Sequence, residues 1–398
     1  MTVFDELPAL PFDRPDLLRT APLFHQLQKT HPITPVRTPA GDVGWLVTRY
    51  EDVKTLLADR RLGRSHPDPD QAARFSNSAF LGGPTGNYTT EEEDHARLRR
   101  LMTRSFTARR MEMLRPRVQA LVDELLDELE RQAPPADFHE TFSFPLPVLV
   151  ICELLGVPYE DRQVFRTWAD ESAEMFDGTR AAAAYQQLAE YMYGLIERKR
   201  RHPGEDVISD LVAARDERGQ LSEDEMIQLA VGLLFAGHET TVARIDFGVL
   251  LLLTHPEQRA ALQADPSLVP RTVEEILRVA APSQGVIPRY ARADIEIGGV
   301  TIRAGDLVLL ALEPANRDEA VFPEPDRFDV TREQNPHVMF GHGPRFCAGA
   351  SLARVELQAV FGTLFWRFPT LRLAVPLEEL RLRDSLLTGG LEALPVTW

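Results

Sequence analysis

Cysteine is nearly missing from this chain. Two occur in 398 residues, Cys152 and Cys347, which excludes a disulfide framework and a four-cysteine zinc site. Lysine is almost as scarce. Lys29, Lys54 and Lys199 are the only lysines among 44 basic residues, and none follows a glycine, so a Gly-Lys-Ser/Thr phosphate loop is absent. Positive charge as a whole is short: 60 acidic residues against 44 basic leave a formal charge of −16. That argues against nucleic acid as a partner, which needs a basic face, and more weakly against anionic membrane. No uninterrupted apolar run approaches the roughly 20 residues that span a bilayer. The longest lie around Val148–Leu155 and Val249–Leu253. Met1–Leu10 is acidic and lacks the basic-then-apolar order of a secretion signal. The expectation is a soluble, cytoplasmic protein, with monomer as the default. Repeats, linkers and low-complexity tracts are also missing, which predicts a single domain over residues 1–398.

What is present is mostly helical. Gly44–Thr48 reads as a strand and Glu51–Asp59 as a short helix. Gly63–Tyr88 loses all periodicity, and Gly82, Gly83, Pro84 and Gly86 mark it as a long loop, the kind that often forms a lid or binding loop. A helix follows Thr90, with Glu91, Glu92 and Glu93 where its N-terminus favours negative charge. Leu114–Glu130 and Ser143–Leu155 continue the pattern. Arg162–Phe176 and Arg180–Arg201 read as an antiparallel pair joined around Asp177–Gly178. Ser222 with Glu225 forms a capping box, and the apolar pattern behind it runs to about Leu253. Ile287–Leu312 reads as β around a Gly298–Gly299 turn, Asn316–Pro336 as irregular chain, and Gly349–Phe368 as helix.

Three short stretches carry chemistry. In Phe340-Gly341-His342-Gly343-Pro344-Arg345-Phe346-Cys347-Ala348-Gly349, glycines flank a thiol just ahead of a helix. Free amides there lower a thiol pKa and suit a thiolate nucleophile or metal ligand. A His342–Cys347 hydrolase pair so close in sequence would have poor geometric control. In Ala236-Gly237-His238-Glu239-Thr240-Thr241, polar side chains interrupt a long apolar helix. Thr240 can bond back to an upstream carbonyl and open the helix locally, and Glu239 can relay protons. The zinc motif His-Glu-x-x-His fails at Val242, and no Gly-x-Ser-x-Gly elbow occurs. In Glu275-Ile276-Leu277-Arg278, acid and base share one helix face.

These three stretches, in this order and at these separations, resemble the cytochrome P450 family of haem-thiolate monooxygenases. Asp94–Arg100 and Pro325–Phe328 are similar to it as well, so the likeness covers essentially the whole chain. In detail the sequence is similar to soluble actinobacterial members that tailor polyketides and related natural products. The resemblance implies a mainly α fold, a helical domain with a small β-rich portion. Haem b is then buried between the long central helix and the Cys-containing loop.

Residue by residue, the resemblance implies Cys347 as the axial thiolate on iron, with Phe340 packed near the sulfur. Gly341 belongs to the same turn, and Gly343 and Gly349 let backbone approach the porphyrin. His95, Arg99, Arg289 and Arg345 fall where cations hold the propionates. Glu239 and Thr240 resemble the acid–alcohol pair that delivers protons to dioxygen. Glu275, Arg278 and Arg327 resemble a structural triad. Phe235, Ala236, Val286, Ile287, Leu387 and Thr388 fall in the substrate pocket, with Ala236 also against the haem. The Phe165–Tyr193 helix pair is implied as the roof. Only some 50 residues follow the haem region, too few for a reductase module, which implies a ferredoxin and an NAD(P)H-dependent ferredoxin reductase as electron donors. Arg100, Arg104, Arg109, Arg110 and Arg354 are the docking candidates. The implied reaction hydroxylates or epoxidises a lipophilic secondary metabolite, a polyketide or macrolide first, a terpenoid or steroid next. A peroxide-driven haem oxygenation and a non-enzymatic haem sensor are the alternatives. Glu239 and Thr240 weigh against both.

Overall fold

A computed structural model describes residues 6–216, 221–283 and 285–398. Its helical body is built from α1 (Glu91–Ser105), α2 (Arg115–Arg131), α3 (Pro145–Leu155), α4 (Arg162–Ala173), α5 (Gly178–Arg201), α6 (Glu223–Thr254), α7 (Val269–Val279) and α8 (Ala350–Phe361), with shorter helices between them. The main sheet uses β1 (Ile33–Arg37), β2 (Val43–Val47), β3 (Leu62–Gly63), β4 (Val286–Ala291) and β5 (Leu307–Ala311), in the order β1-β2-β5-β4-β3. Only the β2–β5 pairing is parallel. The mainly α reading with a small β portion therefore holds. The helix Val207–Asp216 falls in a stretch that the sequence pattern left unassigned. It is anchored by Asp206, which accepts from the Ser209 amide at 2.9 Å and pairs with Lys199 at 2.6 Å.

Helix α6 organises the body. The capping box forms on both arms: the Glu225 amide donates to the Ser222 hydroxyl (3.2 Å) and the Ser222 amide to the Glu225 carboxylate (2.8 Å). From there 32 residues run without a break, ~48 Å of helix at 1.5 Å per residue. By length and composition α6 could cross a membrane, but it is the core of the protein. Ala230, Val231, Leu234, Ile245, Phe247 and Val249 are all buried, and α3, α5, α7 and α8 pack around it. Gly237 is required by one of these contacts, because a Cβ there would lie 2.4 Å from Ile151 Cδ1 on α3.

The helix pair expected over Arg162–Arg201, implied as the roof, is present. Helices α4 and α5 pack together, joined through residues 174–177. The Gly63–Tyr88 segment has almost no regular structure, yet it is tied to that roof. The Ala79 amide donates to Ser172 O (3.0 Å) and the Asn77 amide to Met175 O (2.8 Å).

Glu275 and Arg278 form a buried pair on α7, with contacts of 2.7 and 2.8 Å. All five N–H donors of Arg278 are used: two on Glu275 and the others on the carbonyls of Asn316 (3.0 Å), Pro325 (2.6 Å) and Arg327 (3.0 Å). The third member of the cluster differs from expectation. Arg327 contributes only its carbonyl, and its side chain turns outward to Glu324 at 2.9 Å. The guanidinium that reaches Glu275 is that of Arg332, whose Nε lies 3.2 Å from both carboxylate oxygens. The reason is geometric. The Arg327 carbonyl already points into the cluster, so its side chain faces solvent.

Arg332→Ala is therefore expected to lower stability by about 2 kcal/mol, through a lost charged hydrogen bond to a buried acid. Arg327→Ala should cost less than about 0.5 kcal/mol. Chemical denaturation midpoints of the two variants check this order, and equal losses would restore Arg327 to the cluster.

Candidate active site

The Cys347 loop is shaped by backbone. The Cys347 amide donates to Phe340 O at 2.8 Å, closing the turn, and Gly341 sits in the left-handed region at φ 75°. Gly343 (φ 72°) has a packing task that the sequence reading did not give it. A Cβ there would meet Ala58 Cα at 2.8 Å, so this glycine serves packing against the helix Tyr50–Ala58. Gly349, by contrast, faces open space. The Cys347 side chain is exposed. Desolvation by the protein mass near it still pushes the thiol pKa up from its ordinary value. The Gly349 amide, the Arg99 and Arg354 charges and the Ala350 amide pull it down. The net lowering expected of a helix N-terminus is not found, because desolvation outweighs the amides.

A second wall of the site lies in α6. Ala236 and Thr240 are exposed in the middle of this otherwise buried helix, one turn apart on one face. The Thr240 hydroxyl donates to Ala236 O at 2.9 Å, as its spacing predicts, without breaking the helix. Glu239 points the other way and is buried. Its Oε1 lies 3.2 Å from His238 Nε2, its Oε2 accepts from the Thr388 hydroxyl (3.4 Å), and Arg383 stands 3.7 Å off. Burial alone would raise its pKa, but the neighbouring His238 imidazole and the Arg383 charge hold it below its ordinary value. Arg383 also pairs with Asp170 of α4 at 2.6 Å. Arg383 and Asp170 carry no motif, and no sequence signal marks them.

Cations gather at a third point. Burial, with the nearby charges of Arg64 and Arg345, pushes Arg289 down to about 9. Arg64, missed by the sequence reading, lies half-buried beside it and is lowered by desolvation and by Arg345. The buried carboxylate within this group is Glu91, which accepts from Arg345 at 2.5 Å and from Arg292 at 3.1 Å, and the exposed Glu92 stands 3.7 Å from Arg345. Burial opposes ionisation of Glu91, but hydrogen bonds from Ser65 and from the Arg64 and Ser65 amides hold its pKa down. His95 is lowered to about 4 by burial and by Arg345 and Arg99. The neighbouring cations that lower it mark this as a place where positive charge is in excess. Arg99 is sensed by both His95 and Cys347, which joins the cationic cluster to the sulfur. Arg244 of α6 reaches Met339 Sδ at 3.0 Å and so ties the central helix to the Cys347 loop.

These features fit a haem. An accessible sulfur stands beside free amides, and α6 has an open stripe at Ala236 and Thr240. The surplus of buried guanidinium groups over carboxylates suits a planar macrocycle bearing two acids.

The pocket residues divide. Phe235 stacks on Phe80 (ring centroids 3.7 Å apart) and packs with Ala169, Ala173, Leu386 and Leu387. Val286 and Leu387 line a cavity of about 40 Å³ together with Phe75, Met175 and Leu386. Ile287 does not line it. Successive strand residues point to opposite faces, and Ile287 packs with the cluster of Val47, Leu310 and Val338. Thr388 is turned to Glu239. Among the docking candidates, Arg100 and Arg109 are exposed. Arg110 is held by Asp210 (3.0 Å) and Arg354 by Glu274 (2.7 Å), so neither is the free surface cation expected. The side chain of Arg104 lies outside the described residues.

Comparison with known proteins gives the same picture. A family profile for cytochrome P450 matches residues 177–372. Pentalenolactone synthase of Streptomyces exfoliatus is 46% identical over 99% of this chain and 100% of its own length. Mycinamicin IV hydroxylase/epoxidase of Micromonospora griseorubida is 44% identical over 98% of each. The crystal structure of SgvP, a putative thioether synthase involved in griseoviridin tailoring, superposes with a TM-score of 0.92 at 38% identity, covering 99% of this chain and 100% of that one. With such identity along nearly its full length, the chain belongs to the cytochrome P450 family, the haem-thiolate monooxygenases.

Proposed function

We propose that this enzyme inserts one oxygen atom from O2 into a C–H or C=C bond of a polyketide or macrolide scaffold. Its electrons come from a ferredoxin and its NAD(P)H-dependent reductase. The observation that carries this reading is the polar break in α6. Thr240 offers a hydroxyl on the open face while the buried acid beside it, Glu239, is held ionised by His238 and Arg383. Haem, when bound, supplies the activation of dioxygen. The chain supplies the rest. Cys347 holds the metal, and Arg64, Arg289, Arg345, Arg99 and His95 bind the two propionates. Thr240 presents a proton at its hydroxyl, and Glu239, reached by the Thr388 hydroxyl, is the acid that replenishes it. The apolar wall of Phe80, Phe235, Leu386 and Leu387 excludes water and suits a lipophilic substrate. The names of the macrolide-oxidising and antibiotic-tailoring relatives support the substrate class. Exposed Arg100 and Arg109, with Met113 exposed beside them, suit an acidic electron carrier. A cytoplasmic location agrees with those partners.

Two outcomes test this. Dithionite-reduced protein under carbon monoxide should show the family's red-shifted Soret band, and Cys347→His should lose it. A histidine-type band in the wild type would remove Cys347 from the iron. Thr240→Ala should keep consuming NADPH while product falls by roughly 10²-fold, the scale of a lost acid relay, and hydrogen peroxide accumulates in its place. Fully coupled turnover in that variant would leave the peroxide-driven reaction as the better reading.

A further inference from the structure

A group of side chains outside the chemistry above ties the Cys347 loop to two helices. Glu274 of α7 accepts from Arg354 of α8 in bidentate fashion, Nε at 2.7 Å and Nη2 at 2.8 Å. The same carboxylate accepts from His337 Nε2 at 3.0 Å. The Met339 amide donates to His337 Nδ1 (3.3 Å), so that nitrogen is an acceptor and the Nε2 proton is the one given to Glu274. Glu274 and Arg354 thus carry one negative and one positive charge between them, with His337 hydrogen-bonded to the acid. The Arg354 guanidinium lies 4.6 Å from the Phe340 ring centroid, and the Phe340 carbonyl receives the Cys347 amide. Arg354 and Cys347 also act on each other electrostatically. The helix before the loop, the helix after it, and the aromatic beside the sulfur therefore meet in one ion pair.

We propose that Glu274 and Arg354 are positioning residues for the thiolate: held by His337, they seat Phe340 against the Cys347 turn and present a balanced charge pair that sets the reduction potential of the haem. The physical reason is the sign of the field. Reduction adds negative charge at the metal centre. An unopposed Arg354 cation would favour the reduced state, and an unopposed Glu274 anion would disfavour it. The bidentate pair cancels most of both. This also explains why Arg354 is turned from solvent toward Glu274 rather than free to meet an electron carrier. The proposal rests on Cys347 as the axial ligand.

The test is dye-equilibrated spectroelectrochemistry of the holoenzyme, with the carbon monoxide band recorded first on each protein. Glu274→Gln should raise the potential and Arg354→Gln should lower it. Each change should be about tenfold in the one-electron equilibrium constant, ~59 mV. The double variant should return between them. A merely structural clasp would loosen the loop in either single variant and move both potentials the same way, which overturns the proposal. Unmoved potentials overturn it too, and if Arg354→Gln then weakens ferredoxin binding, Arg354 is a docking cation. If the glutamine variants do not retain haem, Glu274→Asp and Arg354→Lys carry the test, since both keep their charges. Potentials close to wild type support charge balance, and large shifts refute it. A wild-type protein without the thiolate band fails one step earlier and overturns the ligand assignment along with this proposal.

Discussion

A fully buried guanidinium dictates much of this architecture. Arg278 cannot be deprotonated and has no water to serve it, so each of its five donors must find an acceptor in the protein. Glu275 supplies charge and two of those acceptors from the same helix. The rest are carbonyls of Asn316, Pro325 and Arg327, which lie in irregular chain with no ladder of its own. The cation therefore shapes a segment that secondary structure does not. The constraint is passed forward, because the Asn316 side chain accepts from the Val338 amide at 2.8 Å, two residues before Phe340. A buried charge on α7 thus fixes where the Cys347 loop begins.

The site itself holds two opposite electrostatic problems. Around Arg289, Arg64 and Arg345, an acidic protein concentrates positive charge, buried at Arg289, that Glu91 and Glu92 do not fully balance. In a medium of low polarity that surplus is unfavourable, and an incoming dicarboxylate turns it into affinity. On α6 the surplus is negative. Glu239, with Asp170 nearby, shares the single guanidinium of Arg383. The Glu239 Oε1 has no hydrogen-bond donor aligned to it among the described residues. One region carries the charge that would suit anionic groups, and the other holds a buried carboxylate against a shared counter-ion.

What the sequence made legible was whatever is decided within a few residues. The capping box at Ser222, the i to i−4 bond of Thr240, the pairing of Glu275 with Arg278 and the glycine-framed Cys347 all follow from local spacing. Arg64, Arg332, Arg383 and the partner of Thr388 were not legible, because each acts across 57 or more positions or from an irregular segment, where spacing carries no geometric information. Arg327 shows the same limit from the other side. Its place in the chain is right for the cluster, but the group that enters is its carbonyl. Ile287 and Val286 show a related limit: a strand sends neighbours to opposite faces, so Val286 lines the small cavity while Ile287 packs with Val47, Leu310 and Val338.

The roof and the acid are mechanically one assembly. The Met175 amide donates to Ser385 O (2.9 Å) and the Leu387 amide to Ala173 O (3.0 Å), so the end of α4 is stitched to the C-terminal segment. That segment carries Arg383 and Thr388, the two residues that reach Glu239, and Leu386 and Leu387, which wall the cavity. The 40 Å³ cavity beside Leu386 and Leu387 is far below the volume of a drug-sized ligand, so a bulky molecule entering there would have to move the end of α4 and the C-terminal segment together. Such a movement carries Asp170 with it and must either stretch its 2.6 Å pair with Arg383 or draw Arg383 away from Glu239. Either way the Glu239 carboxylate would feel that displacement through its counter-ion, without being touched itself.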